Sequence, residues 1–513
     1  MVKSIFKKYH PLIICLLLAL ISIIVRIPDF SKNDYHNSDA TWHILHTFHC
    51  YDETPASVHK FLPIVTSGDS ADKFIPWGAS VPDEYGNYYY TSFSPASFVP
   101  PYLFIKLFQL PIDVISLYIF NSILLILCFI FTAKLFCKLF NTIDKKYIWY
   151  MSAAIYLFQP EIMHGQGVVY WAQSLYQLIL LLQLNLLFSE HTRKRYIAML
   201  ILSLIGAYTE WTGFCANFGI ALVYLFIGEC KKHNFRRFLG ILASTVLGFV
   251  LFCYHYLQVL DVDIFISAMI SRFNARNVVN TVPLSKLMQG YFTSFSLFII
   301  ITTLCILYCL LSKTHRNTFF HSLKTRERLF FVTIIVLLEN IIMKEHAISY
   351  SFDRMKLIIL LLALFFCTVE TFMLLSPNVN RTMLKTLILL FLCGMLNLIS
   401  YQFLPNSYIK TNESYLTINQ NIADNIYLKF NKDNSIMICN DYVRGYLSTI
   451  FKRGMYEYMD IDKFLELPNK SDKEYIVEIK PNEGYAYYSV KTNKITYVSY
   501  DNGNFIEETQ EFR

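Results

Sequence analysis

Charge is what this chain has least of. Asp, Glu, Lys and Arg make up 16% of its 513 residues, against about a quarter in a soluble globular protein. The place of the missing charge is taken by Leu, Ile, Phe and Tyr, in runs that reach the roughly 20 residues needed to span a bilayer core. A soluble fold is excluded. The chain also lacks cysteines placed for pairing. Of 12 cysteines, most, such as Cys128, Cys253 and Cys305, sit inside apolar runs, where Cys behaves as a small hydrophobe. Only Cys50 and Cys439 stand in long polar segments, so a disulfide framework does not organise the fold. A small-residue cleavage site is missing too. The apolar run "LIICLLLALISIIV", which follows Lys3, Lys7 and Lys8, exits at "RIPDFS" and reads as an uncleaved first span rather than a signal peptide. The net charge of +7 speaks through its distribution along the chain, not as a nucleic-acid signature.

The sequence predicts an all-α polytopic membrane protein of about eleven spans. They fall near 10–26, 116–140, 147–163, 168–189, 196–210, 213–228, 238–257, 291–311, 329–343, 357–375 and 386–404. With the N-terminus in the cytoplasm, the inner loops are "NTIDKK", "SEHTRKR", "ECKKHNFRR", "SKTHRNTFFHSLKTRER" and "SPNVNRTMLK", and every one is basic. The outer turns "HGQGVVY" and "GAYTEWTG" contain no Lys or Arg. That alternation follows the positive-inside rule.

Three segments then lie outside: a large first loop, 27–115, a loop over 258–290, and a tail. The domains expected are therefore a transmembrane region, 1–404, and a small extracytoplasmic α+β domain, 405–513. The tail turns to Asn, Lys, Asp, Glu and Tyr, with strand-like stretches "SIMIC", "EYIVEIK", "YAYYSV" and "ITYVSY" and a helix around "NDYVRGYLSTIF". The first loop ends in "YYYTSFSPASFVPPYLFIKLFQLP", apolar yet interrupted by Pro100 and Pro101, which suits the membrane interface better than a crossing.

The stretch "DYHNSDATWHILHTFHCYDETP" packs four histidines and four carboxylates into the start of that loop. A helix is expected from Ser38 or Asp39 onward, an acid at that end favouring the helix dipole. His43, His46 and His49 are three apart, so each step turns by about 60°. Neighbouring pairs share a face while the first and third diverge. The spacing permits a metal pair at His43 and His46 and does not demand one. Asp52 and Glu53 are adjacent and do not form a paired-carboxylate site by themselves; either could bind an acceptor or be solvated.

A second constellation, "LENIIMKEHAISYSFDRMK", crowds Glu345, His346, Tyr350, Asp353, Arg354 and Lys356 into one outer turn. Positive charge there runs against the topological trend, which suggests a local anionic partner. Arg as a planar fork and Lys as a point charge suit a phosphate, and snorkelling to lipid headgroups is the bland alternative. Arg272, Arg276 and Lys286 add charge on the same side. Glu161, Glu210, Glu339 and Glu370 fall inside or at the edge of spans, where they are costly unless paired or wet. No role is assigned to them from sequence.

The layout resembles the GT-C superfamily of integral membrane glycosyltransferases, in the branch of protein O-mannosyltransferases and lipid A aminoarabinose transferases. A first span, an outer loop opening with an acid, a Pro-rich interfacial segment, many spans and an outer domain are shared. Asp39 matches the early Asp of that loop, with Ala40 where Glu is common. Pro100 and Pro101 match a Pro-Pro element, with Tyr102 in place of Leu, and "HAISYSFDR" is similar to a late outer loop that handles the lipid phosphate. The resemblance implies transfer of a sugar from a polyprenyl-phosphate carrier to an acceptor glycan, lipid or protein outside the membrane, with inversion. Asp39 would be the base. Asp52, Glu53, His346, Tyr350, Arg354 and Lys356 would be substrate-binding. No metal is obligatory, and a divalent ion remains possible at His43 and His46. A polysaccharide polymerase or ligase, or a flippase for lipid-linked sugars, is the alternative; the absence of an internal repeat and the outer-face clustering of polar residues disfavour the latter. The composition, rich in Lys, Ile and Asn, points to a bacterial plasma membrane.

Overall fold

Long apolar runs leave a backbone in lipid with one economical solution, the α-helix, because every N–H and C=O is then satisfied within the segment. The computed structural model describes residues 2–27, 34–66, 80–190, 192–226, 231–276, 283–376, 378–403, 409–410, 415–439, 445–451, 453, 455–457, 460–467 and 472–512. In chain order, α1 (Val2–Val25) is followed by β1 (Asp34–Tyr35), α2 (Ser38–Glu53), α3 (Ala56–His59), β2 (Ser80–Pro82), β3 (Tyr88–Tyr90) and α4 (Val99–Leu107). Next come α5 (Val114–Leu139), α6 (Lys145–Tyr156), α7 (Pro160–Gly165), α8 (Ala172–Leu187), α9 (Arg193–Thr209), α10 (Thr212–Phe226) and α11 (Lys231–Tyr256). Then α12 (Val262–Arg276), α13 (Leu284–Leu311), α14 (Lys313–Thr325), α15 (Glu327–Ile342), α16 (Lys344–Ser349), a 3-10 turn (Ser351–Arg354), α17 (Leu357–Leu375) and α18 (Val379–Phe403) complete the helical region. The tail contains β4 (Ile409–Lys410), α19 (Tyr415–Lys429), β5 (Ser435–Cys439), α20 (Gly445–Phe451), β6 (Tyr456–Glu457), α21 (Ile461–Glu466), β7 (Tyr475–Lys480), β8 (Gly484–Ser489), β9 (Lys494–Asp501) and β10 (Asn504–Glu511).

Each apolar stretch anticipated from sequence falls on a helix. Among the described residues, five helical stretches are long and apolar enough to cross a membrane: Val114–Leu139, Asn234–Tyr256, Leu284–Leu311, Ser351–Leu375 and Val379–Tyr401. Shorter apolar helices are His10–Val25, Ala172–Leu187 and Thr212–Phe226. The chain is a multi-pass membrane protein. One expected span departs from a single helix. The stretch 147–163 divides into α6 and α7, because Pro160 has no N–H to continue the ladder and instead opens α7 at its first turn.

The chain divides into two compact units. The first comprises Met1–Ile27, Tyr118–Phe252 and Phe273–Tyr408. Its core is aromatic and aliphatic: Phe136 stacks on Phe366 at 4.9 Å, and Phe298 meets Phe365 at 5.5 Å. Ser351–Leu375 is 67% buried, whereas Asn234–Tyr256 is 22% buried, so one is a central helix and the other presents apolar side chains to lipid. Gly206 and Gly213 let α9 and α10 touch backbone to backbone; a Cβ on Gly213 would stand 2.3 Å from the Gly206 carbonyl oxygen, the close approach that small residues allow in membranes. A buried pair, Arg326 with Glu370 at 2.7 Å, is completed by Ser322 and Thr142, which removes the cost of Glu370 within an apolar helix.

The second unit comprises Pro28–Leu117, Cys253–Arg272 and Ile409–Arg513. A six-stranded sheet runs in the order β10-β9-β8-β7-β5-β6, with β5 parallel to β6 and β7 and the other pairs antiparallel. One face packs on α19 and α20 through Ile422, Ile426, Leu447, Val477 and Tyr485, the other on α21 through Ile476, Phe464 and Ile495. The expected strands are present as β5, β7, β8 and β9, and the sheet adds β6 and β10. Of the expected helix over 440–451, Gly445–Phe451 is α20 and 440–444 lie outside the described residues. Helix α2 packs on α20, where Thr449 Oγ1 donates to the Trp42 carbonyl at 3.3 Å. β1 pairs with β4, Asp34 opposite Lys410. The Pro-rich stretch forms β3, a 3-10 turn over Pro95–Ser97 and α4. Nine helical residues rise only about 14 Å, so α4 does not cross a membrane. The described cysteines are all free thiols.

Candidate functional site

In the first unit the 3-10 turn Ser351–Arg354 gathers ionisable groups from five helices, and all four of its residues are buried. Asp353 accepts from His346 Nδ1 at 3.0 Å, lies 3.5 Å from Lys356 Nζ and accepts from Gln173 Nε2 at 3.2 Å. Lys356 contacts Glu339 and donates to Thr212 Oγ1 at 3.1 Å. Glu210, at the C-cap of α9, takes the Thr212 backbone N–H at 2.5 Å and the Gln173 amide at 3.3 Å. Arg354 pairs with Glu161 at 3.2 Å and donates to Ser294 Oγ at 3.0 Å and the Ala347 carbonyl at 2.6 Å. Tyr350 packs beside His346, ring centroids 4.7 Å apart.

Three carboxylates, Glu210, Glu339 and Asp353, place oxygens within 4.8 Å of one another, and among the described residues theirs is the group with metal-ligand spacing. The Lys356 ammonium already stands among those oxygens. It supplies, as a tethered cation, the charge that a metal ion would bring. Sequence reading gave no role to Glu161, Glu210 or Glu339. Their isolated acidity within apolar runs was the available signal, since such a charge must find a partner; which partner is a matter of helix packing.

In the second unit Asp39 lies in the first turn of α2 and is exposed, while Thr41, His43, Ile44, Leu45, His46, Thr47 and Phe48 behind it are buried. A rigid helix therefore presents this carboxylate at its N-terminal end. Asn37, in the left-handed region at φ 58°, caps the helix backbone without a side-chain bond. The helix begins at Ser38, as anticipated. His43 meets Tyr90 edge-on at 4.6 Å and Phe98 at 6.0 Å. Burial pushes its pKa down to about 3, with His46 and Arg272 adding repulsion. His46 Nε2 lies 2.8 Å from the Val65 carbonyl and 3.5 Å from Cys50 Sγ. Burial brings its pKa down to about 4, against the opposing hydrogen bond to Val65. Neutral imidazoles are competent ligands, yet His43 sits against aromatic rings and His46 Nε2 is directed at a carbonyl. Asp52 pairs with Lys106 at 2.5 Å and Tyr102 Oη at 2.8 Å, and Glu53 pairs with Lys432 at 2.8 Å. These two adjacent acids point to different partners, as their angular separation on a helix requires.

No family model and no curated protein matches the chain. Among solved structures it is similar to the oligosaccharyltransferase of Archaeoglobus fulgidus tethered to an acceptor peptide containing an NVT sequon. That likeness has a TM-score of 0.48 and 12% identity, over 92% of this chain and 69% of that one. The same enzyme in complex with Zn and sulfate gives 0.48 and 12%, over 90% and 67%. Archaeal oligosaccharyltransferase AglB from that organism, with an inhibitory peptide and a dolichol-phosphate, gives 0.47 and 12%, over 92% and 70%. Likeness at this level decides nothing about the reaction, which must be argued from the chain's own residues.

Proposed function

We propose that this chain is a GT-C membrane glycosyltransferase that moves a sugar from a polyprenyl-phosphate carrier to an acceptor on the outer side of the membrane. The observation that carries the reading is Asp39: an exposed carboxylate fixed on the first turn of a helix whose following turns are packed. In the transfer the acceptor oxygen attacks the anomeric carbon and the carbon–oxygen bond to phosphate breaks. The electron pair leaves with the phosphate, and the acceptor proton passes to Asp39. Attack opposite the leaving group inverts the anomeric centre. A positioned base of this kind contributes about 10²–10⁴-fold.

The carrier's phosphate falls to Arg354 and Lys356, with His346 and Tyr350. Both cations are held by carboxylates in the structure, so in this reading the phosphate exchanges with Glu161 and Glu339 as an alternative anionic partner. Asp52 and Glu53 contribute to acceptor binding through the network they share with Tyr102, Lys106 and Lys432. A divalent ion is compatible with the reading and no step requires one. The setting is a bacterial plasma membrane, with the N-terminus cytoplasmic and the tail outside.

The test uses purified protein with a panel of polyprenyl-phosphate sugars and cell-envelope acceptors, following release of free polyprenyl phosphate. Asp39→Asn is expected to lose transfer by about 10²-fold or more while its thermal unfolding falls only by the small share that a charge at the helix N-terminus contributes, about 0.3–1 kcal/mol. Transfer at the native rate by folded Asp39→Asn would remove Asp39 from the chemistry. No donor consumption by the native chain would favour a flippase, to be examined in liposomes.

A further inference from the structure

Helix α12 has two unlike sides. On one, Phe265 is buried and stacks on Tyr256 at 5.3 Å, and Arg272, seven residues on, donates to Ser92 Oγ and Tyr90 Oη at 3.1 Å each. Positions seven apart fall within about 20° of each other around a helix, so this is a single anchoring face. Val262, Ile266, Ile270 and Phe273 are all exposed, and their spacing of four, four and three lines them up as one stripe. Ser267, Ser271 and Asn274 lie on the side beyond the stripe, exposed like Ile264 and Ala275 beside them. An apolar stripe beside a polar arc, on a helix of only fifteen residues, is the pattern of a helix lying in a membrane surface.

What covers the stripe follows from its tethers. The stretch Asn234–Tyr256, long enough to cross a membrane, ends five residues before α12, and within that link the Leu260 N–H bonds to the Tyr256 carbonyl at 2.9 Å. Leu284–Leu311, another such stretch, begins seven residues after α12 ends, a reach of at most about 25 Å. A helix held between two crossings by links this short stays at the level where they emerge. The geometry points to lipid as the occupant: α12 rests in the headgroup layer, with Val262, Ile266, Ile270 and Phe273 against the acyl chains.

The anchoring face gives this contact a consequence. The Arg272 guanidinium lies 5.7 Å over the Tyr90 ring, and Tyr90 meets His43 of α2, one turn beyond Asp39. The membrane surface is thereby connected through α12, Arg272, Tyr90 and His43 to the helix that carries the carboxylate. Arg272 acts as a positioning residue for the helix that carries Asp39. This second step rests on the reading of Asp39 as the base; the lipid contact does not.

The test places Ile266→Trp, Ile270→Trp and Ser271→Trp one at a time in the full chain, in vesicles of phosphatidylcholine brominated near the head of its acyl chains. The emission of the native chain is subtracted. The tryptophans at 266 and 270 are expected to lose their excess emission to the bromines, while that at 271 keeps it. Equal quenching at all three would describe a helix immersed on every side, and quenching at none would describe one clear of the lipid; either overturns the proposal. Arg272→Ala is expected to keep the quenching at 270 and to lower transfer from membrane-embedded donor more than from donor in detergent. An equal loss in both would sink the positioning role. If Asp39→Asn transfers normally while the quenching pattern holds, the base assignment fails and the interfacial helix stands.

Discussion

The ammonium of Lys356 stands 3.5 Å from the carboxylate of Asp353, and Glu339 contacts the same ammonium. With Glu210 alongside, three buried carboxylates face this one tethered cation, with the His346 imidazole on the far oxygen of Asp353. Carboxyl groups outnumber the ammonium. Removing the cation strands several acids away from water, whereas removing one acid relieves repulsion among the rest.

That asymmetry sets an order of stabilities. Lys356→Met is expected to cost about 3–5 kcal/mol, the range for breaking a buried pair by deleting one partner. Glu339→Gln, nearly isosteric, is expected to cost much less. Thermal unfolding of the two variants in one detergent compares them directly. Equal losses would mean that the acids do not depend on the ammonium.

Acid should weaken the second unit before its carboxylates titrate. His43 and His46 have pKa values lowered from 6.5 to about 3 and about 4, chiefly by burial. Between 6.5 and those values the unfolded chain binds protons that the folded chain refuses. Stability is therefore complete above 6.5 and falls as pH drops through the window, by about 1.4 kcal/mol per unit for each histidine. Unfolding midpoints between about pH 7 and about pH 5 follow it. His43→Phe, which suits the site beside Tyr90 and Phe98, is expected to flatten the slope; an unchanged slope would exclude His43 as a source.

Gly213→Ala tests the contact between α9 and α10. The added methyl would meet the Gly206 carbonyl oxygen at 2.3 Å and carbon at 2.5 Å, and backbone cannot step aside as a flexible side chain can. A loss of about 1–3 kcal/mol is expected, read as a lower unfolding temperature. Gly503→Ala, where nothing stands within 4 Å but φ is +85°, serves as a comparison in which only backbone strain acts.

Helices were legible because hydropathy and helix formation are the same requirement in lipid. The division of 147–163 was legible too, in Pro160, had the proline been weighed above the apolar run. In the tail β5, β7, β8 and β9 announced themselves as short strand-like runs; the two-residue β4 and β6 did not, and neither did the longer β10. Its residues "NFIEETQE" are nearly all exposed, so burial left no imprint; Asn502 and Gly503, with φ of 48° and 85°, were the turn signal that could have found it. The helix start at Ser38 was readable from its own neighbourhood. The partners of Glu161, Glu210 and Glu339 were not, because Arg354, Gln173 and Lys356 respectively reach them across helix crossings that no local pattern encodes.

The far edge of the tail's sheet has its own meaning for a protein confined to two dimensions. Among the described residues strand β10 ends the sheet, with Glu507 paired to Lys429 and Glu508 and Glu511 exposed, so the outer row of N–H and C=O groups is fenced by charge. Neighbouring copies diffusing in one membrane collide side by side far more often than they would in bulk water. A bare edge at that position would invite strand-to-strand zippering between copies, and the glutamates let these domains crowd a surface without fusing into fibres.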